Sequence, residues 1–273
     1  MLEVGGWLIP VNGVYNQLMS KVELVGILNL TPDSFSGDGL TDYQRSIDQA
    51  EQMFKSGASS VDVGAESTRP GATPISAKEE WKRLSPVITN LAASHPAKFS
   101  VDTHHPQTIL KLHKEIGKFR LNDVTGLNSP EVLGLVIKLM LPVIISHFPS
   151  SLGQDIQAGH QQENKINSLS QVKNELLAKR RQLIDSGIDP SSIILDPGIG
   201  FGKTIDLNWR LLRFAEETPG IDVMIGYSKK SFMAERSKLV EQNLEAGRIA
   251  IAAGAKYLRL HADLLKSHAQ LLN

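Results

Sequence analysis

The chain has 273 residues, enough for one large domain or two small ones, and 41% of them are hydrophobic, as in ordinary globular proteins. Its 29 basic and 29 acidic side chains cancel, so no net field draws it to nucleic acid or to an anionic membrane, although a local basic pocket stays open to it. The lack of cysteine excludes disulfides, thiolate metal sites and thiol catalysis.

Residues 1–20 lack the basic start and continuous apolar core of a secretory leader, and no apolar run approaches the roughly 20 residues of a membrane span. A cytoplasmic location is expected. Eight short runs rich in Val, Ile and Leu then follow: 23–30 (ELVGILNL), 60–64 (SVDVG), 98–102 (KFSVD), 119–124 (FRLNDV), 143–147 (VIISH), 193–197 (IILDP), 223–228 (VMIGYS) and 257–261 (YLRLH). Helix-like stretches separate most of them, at 44–56, 77–93, 106–116, 129–139 and 168–186. Gly57 in KSGA and Gly187 in DSGI sit where a helix ends before the next strand. Strands alternating with helices imply parallel pairing. Eight such units in about this length predict a (β/α)8 barrel forming a single domain over 1–273, with a doubly wound open sheet as the alternative.

Nearly every run finishes on a polar group: Asn29, Glu66 just beyond the second run, Asp102, Asn122 with Asp123, Ser146 with His147, Asp196, Ser228, and Arg259 with His261. Polar residues are ordinary at strand ends. Asp102, Asn122, Asp196 and Arg259, however, lie in apolar surroundings where burial is costly without partners. In a barrel all eight strand ends converge on one rim, which is where active sites form.

The segment LDPGIGFGKT (195–204) invites a phosphate-loop reading, but its spacing is wrong. The pattern needs a glycine where Pro197 stands, and proline removes a backbone N–H that would cradle phosphate. Two Gly/Pro-rich loops, 31–40 (TPDSFSGDGL) and 67–75 (STRPGATPI), carry Asp33, Phe35, Thr68, Arg69 and Pro70. Turn chemistry explains their prolines and glycines, but not a phenylalanine at a loop tip. A third stretch, 148–167, is polar and Gln-rich and is expected to be mobile.

Seven segments in order, GILNLTPDSFSGDG (26–39), DVGAESTRPGA (62–72), SVDT (100–103), NDVTG (122–126), LDPGIGFGK (195–203), GYSKKS (226–231) and RLH (259–261), resemble the dihydropteroate synthase family. The resemblance implies a pterin-binding barrel. It would join 6-hydroxymethyl-7,8-dihydropterin pyrophosphate to para-aminobenzoate with Mg²⁺ assisting. By resemblance, Asp102, Asn122 and Asp196 read the pterin edge, Lys230 reaches a ring acceptor, and Phe201 covers the ring. Arg69, Arg259 and His261 bind the anion, and Asn29 contacts Mg²⁺. Asp33 engages Mg²⁺ and pyrophosphate. Ser231, at the start of a helix, meets the para-aminobenzoate carboxylate, with Phe35, Thr68 and Pro70 closing over it. Lys203 is expected to be exposed, and His104 with His105 to be a solvated loop pair.

Four features depart from the family pattern. Ser146-His147-Phe148 replaces a Met-His-Met type segment, Lys229 replaces an arginine, Ala262 follows His261 with Asp263 one place later, and 230–259 is shortened. The last bears on the helices of the homodimer that the resemblance implies. A catalytically silent or altered-substrate pterin-binding paralogue is the alternative function. A pterin-binding methyltransferase would not need TPDSF or STRPG. A metal hydrolase using Asp102, His104, His105, His147 and His261 would want more ligands on the first strand than Asn29.

Overall fold

The computed structural model describes residues 22–30, 43–68, 71–149, 165–233 and 239–272, with backbone alone at 2–4, 7–9 and 40–42. Residues 150–164, the bulk of the stretch expected to be mobile, lie outside the described residues. Its described ends are seated, since Phe148 and Ile166 are buried and Ile166 bridges to Lys203. Near the N-terminus, Leu2–Val4 pairs antiparallel with Trp7–Ile9.

Eight parallel strands follow: β1 (Glu23–Asn29), β2 (Ser60–Gly64), β3 (Phe99–Asp102), β4 (Arg120–Asp123), β5 (Val143–Ser146), β6 (Ile193–Asp196), β7 (Met224–Ile225) and β8 (Tyr257–His261). The helices are α1 (Leu40–Lys55), α2 (Ala77–Ser94), α3 (Pro106–Ile116), α4 (Pro130–Leu139), α5 (Leu169–Asp185), α6 (Ile205–Leu211), α7 (Leu239–Ala252) and α8 (Ala262–Ala269). Strand order is β6-β5-β4-β3-β2-β1-β8-β7. The two outermost strands then meet: Leu195 bridges Val223, and its N–H donates to the Asp222 carbonyl at 3.0 Å. The sheet is therefore a nearly closed (β/α)8 barrel rather than an open one. The two-residue β7 makes this its thinnest seam.

Local chemistry starts the helices where the sequence suggests. The hydroxyls of Ser76, Ser129, Ser168 and Thr204 accept from backbone N–H groups three residues on, filling donors that a helix start leaves open. Pro106 and Pro130 occupy first turns, where a missing N–H costs nothing. Gly57 and Gly187 adopt φ of 100° and 94° just past α1 and α5.

Alternation along the strands divides the interior in two. Val61, Val63, Val101, Leu121, Val143, Ile145, Leu195, Leu258 and Leu260 face outward into the main core beneath the helices. Inside the barrel, Val25, Ile144, Ile194, Met224 and Tyr257 form a separate apolar floor. One step higher on the same inward faces the residues turn polar, and there the candidate site begins.

Candidate active site

Asp62 lies on the inward face of β2 and is fully buried. Its Oδ2 accepts from Arg259 Nε at 2.7 Å and from Asn122 Nδ2 at 2.9 Å, and Oδ1 accepts from the Ser100 hydroxyl. Arg259 also donates through Nη2 to Asp102 Oδ2 at 3.0 Å. Four strands (β2, β3, β4 and β8) are thus joined by one carboxylate–guanidinium network. Burial raises the Asp102 carboxyl above its ordinary range and the Asp62 charge adds to that, while Arg259 opposes both.

The second half of the site comes from the segment after β6. Asp196 Oδ1 accepts from the Gly198 N–H at 2.7 Å, turning the chain sharply at the rim. Gly198 has φ of 63°, and a Cβ there would fall 2.1 Å from the His147 carbonyl oxygen, so only glycine fits. Lys203 is buried, contrary to the expected exposure. Its ammonium donates to the carbonyls of Gly198 (2.8 Å), Phe201 (3.0 Å) and His147 (3.1 Å), knitting the turn to β5. Burial pulls its pKa down to about 7. The glycine-rich segment that resembles a phosphate loop is a rim turn, and its lysine points into its own backbone.

Phe201 packs edge-on against Phe148, with ring centroids 6.0 Å apart, and the Lys230 ammonium lies 4.5 Å from the Phe201 ring centroid. Lys230 passes over Gly200, where an added Cβ would crowd its stem. Burial and then the Arg259 charge pull the Lys230 pKa down to about 8, against the attraction of Asp196 and Asp102.

Thr68, Asp102, Asn122, Asp196, Phe201, Lys230 and Arg259 line a single cavity, with Ser146 on its wall. Asn122 Oδ1 is buried with no hydrogen-bond partner among the described residues. His261 ends β8, and its Nδ1 meets Ser228 Oγ at 2.7 Å, while its N–H donates to the same oxygen at 3.0 Å. Asn29 ends β1 on the same rim, in register with Gly64. Ser231 is exposed in a turn over 231–233, not on a helix; the next described helix is α7. Asp33, Phe35, Arg69 and Pro70 lie outside the described residues.

Sequence reasoning missed Asp62 because it looked for polar groups at the ends of runs, whereas Asp62 is mid-strand. The signal was there: in Val61-Asp62-Val63 the alternation puts the acid alone on the inward face. Asp123, read together with Asn122, points the other way and caps a turn by accepting from Thr125 N, Thr125 Oγ1 and Leu127 N.

Residues 25–261 match the family model described as pterin binding enzyme. The chain belongs to the pterin binding enzyme family. It is 34% identical to a dihydropteroate synthase of Haemophilus influenzae, covering 91% of this chain and 93% of that one. The Escherichia coli (strain K12) dihydropteroate synthase is 33% identical over 89% and 87% of the two chains. Among solved structures, a Yersinia pestis dihydropteroate synthase in a sulfonamide drug complex superposes with a TM-score of 0.80 at 28% identity, covering 99% and 97%. A Xanthomonas albilineans dihydropteroate synthase in complex with 7,8-dihydropteroate superposes at 0.74, with 28% identity and 93% of each chain covered. The same protein with 4-aminobenzoic acid gives 0.76 at 30% identity, covering 93% and 92%.

Two of the departures noted against the dihydropteroate synthase resemblance meet in space. Lys229 Nζ, from the turn after β7, pairs with Asp263 Oδ2, in the first turn of α8, at 2.9 Å, so the substituted base and the displaced acid face each other. Both are well exposed, and such a pair contributes little stability. In the altered segment after β5, Ser146 stays buried on the cavity wall and Phe148 packs on Val124 and Phe201. His104 and His105 are half-buried rather than solvated, their rings stacked at 4.5 Å.

Proposed function

We infer that this chain condenses 6-hydroxymethyl-7,8-dihydropterin pyrophosphate with para-aminobenzoate, giving 7,8-dihydropteroate and pyrophosphate. The observation that carries this reading is the convergence of Asp102, Asn122, Asp196, Lys230 and Arg259 on one cavity, with the Asn122 side-chain Oδ1 lacking a partner among the described residues. A pterin edge presents amino and ring N–H donors beside ring acceptors. Asp102 and Asp196 accept, the Asn122 oxygen accepts, and the Lys230 ammonium donates. Phe201 covers the ring face, Thr68 lines the same cavity, and the role of closing over para-aminobenzoate falls to Thr68, Phe35 and Pro70.

The reaction breaks the C–O bond between the pterin methylene and pyrophosphate. The electron pair leaves with pyrophosphate, and the ring stabilises the resulting cation. The para-aminobenzoate nitrogen forms the new C–N bond and sheds a proton to solvent. An aniline nitrogen is already neutral at pH 7, so no strong base is needed. Charge builds on the departing oxygen, where Arg259, Arg69 and His261 act. Ser228 accepts from the His261 backbone N–H and donates to Nδ1, which leaves Nε2–H as the ring donor when the imidazole is neutral. Ser231 meets the para-aminobenzoate carboxylate from its exposed turn.

The donor chemistry fits a Mg²⁺ ion. The Asn29 amide oxygen is a hard, neutral ligand at the rim, and Mg²⁺ takes few protein ligands when phosphate oxygens supply the rest. Asn29 and Asp33 would hold it, and when bound it neutralises charge on the pyrophosphate.

A single domain, a cytoplasmic location and a homodimer through α7 and α8 complete the reading. The substrate's pyrophosphate suits it to an aqueous compartment, and no described helix is long and apolar enough to cross a membrane. Sedimentation measures the dimer. The function is tested by pyrophosphate release from the pterin substrate with and without para-aminobenzoate. Release that depends on para-aminobenzoate, with dihydropteroate formed in equal amount, is expected. Pterin binding with no release would instead identify a silent paralogue.

A further inference from the structure

The pair His104-His105 follows the shared SVDT motif and has no part in the pterin chemistry. Glu66, two residues beyond β2, faces it. His105 Nε2 lies 2.9 Å from Glu66 Oε2, and one ligand atom from each of Glu66, His104 and His105 falls within 4.8 Å of the others. All three side chains are half-buried, which shields them while leaving a path for an ion. The histidines stand on a fixed turn: the His105 N–H donates to Thr103 Oγ1 at 3.1 Å, and that hydroxyl donates to the buried Glu80 Oε2 at 2.9 Å. Pro106 then opens α3 directly behind them. Ligands held on such anchored backbone lose little freedom on binding.

We propose that Glu66, His104 and His105 form a binding site for one divalent transition ion of the zinc class, distinct from the Mg²⁺ ligands. Two imidazoles and a carboxylate make a borderline N2O set. Zinc, cobalt and nickel favour such a set, whereas Mg²⁺ and Ca²⁺ favour oxygen alone. Tetrahedral zinc with bonds of about 2.0–2.1 Å places its ligand atoms about 3.4 Å apart, so from separations of at most 4.8 Å the trio has little more than an ångström to close. The ion takes the place of the proton shared by His105 and Glu66, and water completes the coordination. It would tie the segment after β2, two residues before the cavity-lining Thr68, to the turn after β3. The site does not depend on the pterin assignment.

The test uses the whole chain, free of any affinity tag and stripped by a chelator. Co²⁺ titration should give visible d–d bands of a four-coordinate ion that saturate at one equivalent. Zn²⁺ should bleach them, and a large excess of Mg²⁺ should not. Zn²⁺ affinity, measured against a chromophoric chelator, should fall at least about 100-fold in His104→Ala and in His105→Ala, since even outer partners of metal ligands are worth 10–100-fold. Glu66→Gln should weaken it too while keeping the side-chain shape. Thermal unfolding separates loss of the site from loss of the fold: Zn²⁺ should raise the midpoint of the wild type and leave that of the folded variants unmoved. Absence of Zn²⁺ binding at micromolar concentration overturns the proposal. So does one-equivalent binding that persists in the folded His104→Ala/His105→Ala double variant.

Discussion

Arg259 and Asp62 stand 197 positions apart in the chain and meet at 2.7 Å inside the barrel. The acid is fully buried and also accepts from Asn122 and Ser100, so it sets the positions of a proposed anion binder and a proposed pterin reader at once. Asp62→Ala should destabilise the fold by about 1–3 kcal/mol, because it takes an acceptor from Ser100 and Asn122 and leaves Arg259 with Asp102 alone. Asp62→Asn should fold better but lose most of kcat/KM, since the amide cannot hold Arg259 in charge or geometry. Urea unfolding and initial rates check the pair of variants.

Asp196 has two tasks, since one oxygen holds the Gly198 N–H and the carboxylate borders the cavity. Asp196→Asn should keep the turn nearly intact yet weaken pterin binding by about 1–3 kcal/mol, the typical loss for a buried polar contact. Calorimetric titration with a pterin measures it. Affinity unchanged in the folded variant would remove Asp196 from the pterin site.

Ser146 lies on the cavity wall, at the position where the dihydropteroate synthase resemblance implies a methionine. Ser146→Met should tighten pterin binding by roughly 1–2 kcal/mol at most, from restored apolar burial. Equal or weaker binding in the same titration would show that Phe148 and Phe201 have already filled that space.

Lys230 should set the alkaline limb of activity. Its pKa, lowered by burial and by Arg259 to about 8, means that the donating ammonium is present below about pH 8 and lost above it. The pH profile of kcat/KM reports the free protein and should fall through that range. In Lys230→Arg the charge persists, so the limb should move well above it even if the overall rate is lower.

Lys203 is a structural cation. Lys203→Met would remove a donor shared by three carbonyls, of which Gly198 keeps the Phe201 N–H, at a cost of about 1–3 kcal/mol. The variant should unfold at lower denaturant and bind pterin poorly, because Asp196 and Phe201 ride on the same turn.

Some of this was readable from the sequence alone. Eight apolar runs with helices between them specify a parallel barrel, because β-branched runs buried on both faces need a helix layer outside and partner strands on each side. The strand ends Asp102, Asn122, Asp196 and Arg259 were legible for the same reason, as polar groups where an apolar strand should continue. Gly57 and Gly187 marked helix limits through local chemistry alone. What only the tertiary structure decided depends on contacts between distant segments. Asp62 looked like one polar residue within a strand until Arg259 and Asn122 reached it from other strands. Lys203 looked exposed until the carbonyls of His147 and Gly198 closed around it, and His104 and His105 looked solvated until Glu66 faced them from the segment after β2. Periodicity fixes which face of an element a side chain takes. Its partner across the barrel depends on strand register and rim turns, which form only when the whole sheet closes.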